Sequence, residues 1–140
     1  MGKPRKKNQN MKLNHRIPTN ADSTEIATSL KETLKEIELN GENPCLKEEL
    51  QFKFARLKLS EGELEDSYKI LGICNSITID YNLRENYEIY FWVARIAELK
   101  GEFEKSKTTY EMALKRCIDN PLLIPRNEII EAIERVKTKI

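Results

Sequence analysis

Two arginines occupy corresponding places in the chain, each with a phenylalanine four residues before it: Phe52 with Arg56, then Phe91 with Arg95. On a helix that spacing puts ring and guanidinium on one face. Two guanidinium forks set one repeat apart suit a carboxylate or a phosphate, which accepts paired N–H bonds in a plane. The same residues also have an architectural reading, in which each arginine pairs with a nearby glutamate and each ring covers a helix junction. Trp92 is expected to be exposed, because Val93 and Ala94 take the inward register. Phe52, Arg56, Phe91, Arg95 and Trp92 together make a candidate partner-binding groove, in a stretch that also holds Tyr81, Tyr87 and Tyr90. Aromatic side chains of this kind are enriched at binding hot spots, and they also supply bulk in small cores.

A second chemistry lies at the start of the chain. Lys3, Arg5, Lys6, Lys7, Lys12 and Arg16 fall within the first twenty residues, which contain no acid, so this arm carries +6 while the whole chain is only +1. Such an arm suits phosphate contact on a nucleic acid, an acidic surface such as tubulin, or nuclear import; the plain alternative is a solubilising tail. Residues 1–21 hold almost nothing to bury and are expected to be disordered.

Catalytic chemistry finds little support. Cys45, Cys74 and Cys117 are odd in number and widely spaced, and the only histidine, His15, lies in the arm. That pattern makes neither a disulfide framework nor a zinc site, and it offers no nucleophile beside a base. The five glycines are isolated, so no phosphate-cradling loop is present. The chain reads as a non-enzyme without cofactor or metal. With no apolar run long enough for a membrane span and no secretory leader, it reads as cytoplasmic or nuclear.

The elements that position these residues are helices. Asp22 with Glu25 has the spacing of a capping box, followed by Ile26, Leu30, Leu34 and Ile37 at helical intervals up to Asn40-Gly41. Asn43-Pro44 is a cap followed by proline at the first helical position, and Leu46, Leu50, Phe54 and Leu57 follow on one face. Glu61-Gly62-Glu63 ends that segment before a helix over 64–77; helices over 88–99 and 103–118 flank Lys100-Gly101-Glu102. A last helix starts near Arg126, with Ile129, Ile133, Val136 and Ile140 on one side. Six amphipathic helices with short turns predict an all-α antiparallel hairpin stack over residues 22–140, which is one domain by length.

The stack contains a duplication. Shifted by 39 residues, Phe52–Ser67 aligns with Phe91–Ser106, with seven of sixteen positions identical, Ala55/Ala94, Gly62/Gly101 and Ser67/Ser106 among them. Leu71/Tyr110 and Cys74/Ala113 extend the match. A period in the range of ~20–50 residues is the mark of a helical array. The expected repeats cover about 45–79 and 84–118, with capping helices at about 22–40 and 126–140.

At Ala94, Gly101, Phe103, Tyr110 and Ala113 the chain resembles the tetratricopeptide repeat family, over roughly residues 49–118. It departs from that family in its longer period and in serine where the second helix usually carries alanine. Glu98, Gly101 and Tyr110–Leu114 look like the half-tetratricopeptide variety of RNA-processing proteins. Tyr90–Leu114 also resembles locally the C-terminal helical domain of the cytoskeleton-associated protein 2 family. The first resemblance implies a protein-interaction adaptor or complex subunit that binds a peptide, an acidic one if the two arginines line its groove. The last implies a spindle or microtubule role, with the arm as the polyanion contact. The burial expected of this architecture comes entirely from 22–140, so deleting residues 1–20 should leave the far-ultraviolet helical signal intact; its collapse would show the domain boundary to be misplaced.

Overall fold

Asn43 shows how closely local chemistry dictates the helix boundaries. Its Oδ1 accepts the Leu46 backbone N–H at 2.9 Å, and Pro44 follows at the first helical position. In the computed structural model, which describes residues 22–83 and 86–140, six helices follow one another: α1 Ser23–Asn40, α2 Pro44–Ser60, α3 Leu64–Asp80, α4 Tyr87–Leu99, α5 Phe103–Arg116 and α6 Arg126–Lys137. Among the described residues there is no strand. The arm residues Lys3, Arg5, Lys6, Lys7, Lys12 and Arg16, together with His15, lie outside the described residues. The chain forms two compact units that divide inside α4, one comprising Pro18–Ile89 and the other containing Tyr90–Ile140.

In the first unit α2 packs against both α1 and α3. Ala55 in α2 and Ser67 in α3 are each 1% exposed, and the Ser67 hydroxyl donates to the Ala55 carbonyl at 2.8 Å. At the other end of this hairpin, the Thr78 hydroxyl donates to Glu48 Oε2 at 2.7 Å and Cys74 sits against the Glu48 carbonyl. The two helices therefore run antiparallel. Asn82, with φ 52°, closes α3 in the left-handed conformation that asparagine tolerates.

The second unit repeats the hairpin with α4 and α5. Ala94 and Ser106 are fully buried, and the Ser106 hydroxyl donates to the Ala94 carbonyl at 2.8 Å. The turns share most of their backbone bonds. Gly62 N–H donates to the Leu59 carbonyl and Gly101 N–H to that of Glu98, both at 3.0 Å; Glu63 N–H reaches Lys58 and Glu102 N–H reaches Ala97. Both glycines have φ near +80°, a region that side-chain-bearing residues rarely enter. In this unit α6 packs on α5 through Ile129, Ala132, Ile133 and Val136.

Several expectations are corrected by the structure. Asp22 makes no cap bond to α1; it is buried, and its charge lies close enough to Arg56 to act on that guanidinium. On α1 Ile26 is buried as expected, but further along it is Thr33 that is buried while Leu34 is 40% exposed, because Thr33 is held between Lys53 Nζ at 2.8 Å and Glu49 Oε2 at 2.9 Å. Phe54, on the apolar stripe with Leu46, Leu50 and Leu57, is 37% exposed beneath Lys58, since the packed face of α2 runs through Ala55 and Leu59. The helix over 103–118 stops at Arg116, where Cys117 turns extended. Ile140 is exposed, beyond the end of α6.

The close approach at these alanines sets the first stability test. Ala55→Leu and Ala94→Leu should each overpack a helix crossing and cost ~1–3 kcal/mol. Ser67→Ala and Ser106→Ala remove one hydrogen bond and should cost about 0.5–1.5 kcal/mol each. Denaturant midpoints report both, and neutral results at all four positions would show that the crossing lies elsewhere.

Candidate functional site

Helices α2 and α4, the first of each hairpin, carry the paired phenylalanines and arginines. Phe52 and Arg56 are half-buried. Burial pulls the Arg56 guanidinium below its ordinary value, and the carboxylates of Glu88, Asp22 and Glu25 act against that shift. An arginine among three acids inside its own unit is held by its surroundings as much as offered to a ligand. Arg95 is half-buried too, its guanidinium 4.9 Å from the centroid of the Phe91 ring, a cation–π contact across one helical turn. The Nε atoms of both arginines are buried.

Phe91 is fully buried and Trp92 only 2% exposed, so neither ring reaches the surface. The expectation that Trp92 is exposed is therefore corrected. It assumed one inward arc on α4 with Val93 in it, whereas the buried set of Phe91, Trp92, Ala94, Ile96 and Ala97 spans a wider arc that takes in Trp92 and leaves Val93 half-buried. Phe91 meets Trp92 edge-on at 5.2 Å and Tyr110 at 5.6 Å, an aromatic cluster that fills the α4–α5 hairpin. Of the five candidate groove residues, the structure leaves Phe52, Arg56 and Arg95 partly accessible. Of the other aromatics, Tyr81 is exposed, Tyr90 half-buried beneath Arg116, and Tyr87 buried.

Comparison with known protein families, curated proteins and solved structures returns no match. What the molecule does rests on its own chemistry.

The most highly organised polar group in the second unit was not picked out as a site from the sequence. Arg135 of α6 grips Glu98 of α4 with two bonds, Nε to Oε2 at 2.6 Å and a terminal nitrogen to Oε1 at 2.8 Å, and the Tyr110 hydroxyl donates to Oε1 at 2.8 Å. Burial alone would raise the Glu98 carboxyl, but the hydrogen bonds from Arg135 and Tyr110 outweigh it and hold it below its ordinary value. Burial pushes the Tyr110 hydroxyl up, so it stays protonated and donates. The signal was present in the repeat: Glu98 and Tyr110 stand where the first hairpin has Leu59 and Leu71, a polar pair in an apolar register. Arg135, thirty-seven residues from Glu98, carried no such mark.

Cys74 is fully buried, and desolvation pushes its thiol up to about 12. Cys45 is exposed and Cys117 half-buried, both as free thiols. Among the described residues, no three His, Cys, Asp or Glu side chains gather as a metal site would require. A concavity of about 500 Å³ lies over the connection from α5 to α6, lined by Cys117, Asp119, Asn120, Pro121, Leu123 and Arg126. Its lining brings one acid, Asp119, and one base, Arg126, together with the Cys117 thiol.

The Glu98 tie has a pH signature. A carboxyl whose folded value is depressed stabilises the fold above its ordinary value near 4.5, and that stabilisation is lost as pH falls through the folded value. Glu98→Gln and Arg135→Gln should therefore melt below the unaltered protein at neutral pH, with the gap shrinking below about pH 4. A gap that stays constant from neutral to acid would show that the pair contributes packing and not charge.

Proposed function

We propose that the protein is a non-enzymatic interaction module, a tetratricopeptide-like helical adaptor or complex subunit whose partner is another protein. One observation carries this reading: the same hairpin is built twice, with the same serine-to-alanine-carbonyl bond and the same glycine turn. Duplicated hairpins of this kind create extended surfaces, and binding is what such surfaces do. Phe52 and Arg56 in the first unit and Arg95 in the second remain candidate contact residues, whereas Phe91 and Trp92 fill the second hairpin.

The alternative is association with a microtubule or a nucleic acid through the arm, favoured by its six basic residues without an acid. Binding to a polyanion falls steeply with salt, whereas binding to a largely apolar or hydrogen-bonded surface does not. Affinity capture from cells with the full chain and with a chain lacking residues 1–20, each at low and high salt, separates the two. The adaptor reading expects a partner that survives both deletion and salt. Loss of every partner on deletion, with steep salt dependence before it, would make the arm the functional element.

A further inference from the structure

Helix α3 contains a run from Ile70 to Ile79 with no charged residue, in a chain of which 34% is charged. One face of that run is accounted for, because Leu71, Cys74, Ile77 and Thr78 are buried, Cys74 and Thr78 against Glu48 of α2. The opposite face is not. Gly72, Ile73, Ser76 and Ile79 are exposed, Ile73 at 48% and Ile79 at 68%. A helix that is apolar all round normally belongs in an interior.

The duplication supplies an internal control. In the second hairpin the position of Gly72 is held by Glu111 and that of Ser76 by Lys115, and Glu111 pairs with Lys107 at 3.6 Å on the solvated face of α5. The hairpin therefore does not require small uncharged residues there. Gly72 is the clearest case. Its backbone is ordinary helix, and a Cβ built on it would meet nothing within 4 Å. Glycine inside a helix lowers its stability relative to alanine, and none of the described residues needs the space. What the space allows is close approach by another backbone.

The surroundings specify the visitor's charge. Over Pro18–Ile89 there are fifteen acidic and eight basic residues, and on α3 itself Glu65, Asp66 and Asp80 flank the uncharged run against a single base, Lys69, all exposed. A second copy of the same acidic unit would bring like charges together along this face. A helix with an apolar stripe edged by lysines or arginines would bring opposite ones.

We propose that the face of α3 formed by Gly72, Ile73, Ser76 and Ile79 docks an amphipathic helix of a partner protein, its apolar stripe bordered by basic residues. This rests on the interaction-module reading and adds the place and the chemistry of the partner. Gly72 and Ser76 admit the visiting backbone, Ile73 and Ile79 meet its apolar stripe, and the acids at both ends hold its edges.

The test transplants the second hairpin's residues onto the first as the double variant Gly72→Glu with Ser76→Lys. The probe is a synthetic amphipathic helical peptide with leucines on one face and lysines along both edges, and a twin with glutamates at the edges. Fluorescence anisotropy with the full chain should show binding of the lysine-edged peptide and much weaker binding of its twin. The double variant should weaken the lysine-edged peptide by at least about tenfold while its melting temperature stays level or rises, because a helix glycine is removed and a Glu–Lys pair added. A merely structural role would move stability and binding together. Equal binding by the variant, equal binding of the twin peptides, or no binding of either would overturn the proposal. So would sedimentation showing that the chain self-associates and that the double variant abolishes it, since the occupant would then be a second copy. If the double variant still captures the salt-resistant cellular partner, the module reading stands and the α3 site falls.

Discussion

The distance between the two helices of each hairpin is the constraint on which the rest depends. At Ala55 with Ser67, and at Ala94 with Ser106, a side chain of one carbon or one hydroxymethyl separates two backbones, and the hydroxyl converts near-contact into a bond to a helix carbonyl. That carbonyl sits within a helix, where the backbone ladder already occupies it, so the serine uses its second lone pair and leaves no polar atom stranded. With the crossing fixed, the glycine turn must be tight, and the larger residues further along have to fill what opens beyond it. Leu71 and Cys74 do so in the first hairpin, Tyr110 in the second.

The two hairpins share this frame but are finished differently. The first is completed with apolar side chains at Leu59 and Leu71 and with polar ties at its periphery, Thr33 with Lys53 and Glu49, and Thr78 with Glu48. The second places a carboxylate at the corresponding inner position and satisfies it with an arginine from α6 and a tyrosine from α5. A carboxylate that shielded would be costly without such partners. With them it is directional, and α6 is fixed in register on its hairpin by geometry that apolar contact alone would leave loose.

Much of the framework was legible because it is written in local signals. Asn43-Pro44, the glycines that end segments and the small residues of the repeat each act within a turn or two, where sequence neighbours are spatial neighbours. What escaped depends on residues distant in the chain. Asp22 has the spacing of a cap, yet lies near Arg56, which no local pattern could reveal. Thr33 is buried because Lys53 and Glu49 from the next helix satisfy it. Trp92 was misjudged because a single inward arc was assumed for α4, although its composition, apolar at nearly every position from Ile89 to Ala97, already argued for a wider one. Of the groove residues, the shared spacing of Phe and Arg was real and local; how deeply each lies was not written in that spacing.

The bonds that cross between helices also differ in how much chain they enclose. Each serine–alanine bond spans 12 residues, whereas the Glu98–Arg135 tie spans 37. Closing the longer loop costs about 1 kcal/mol more chain entropy than closing the shorter one. A fold whose ties are mostly between consecutive helices has low contact order, and such chains reach their native state quickly, with little time spent exposing unpaired apolar surface. The hairpins can thus assemble from their own turns outward, and the arginine clasp closes over a hairpin that is already in place.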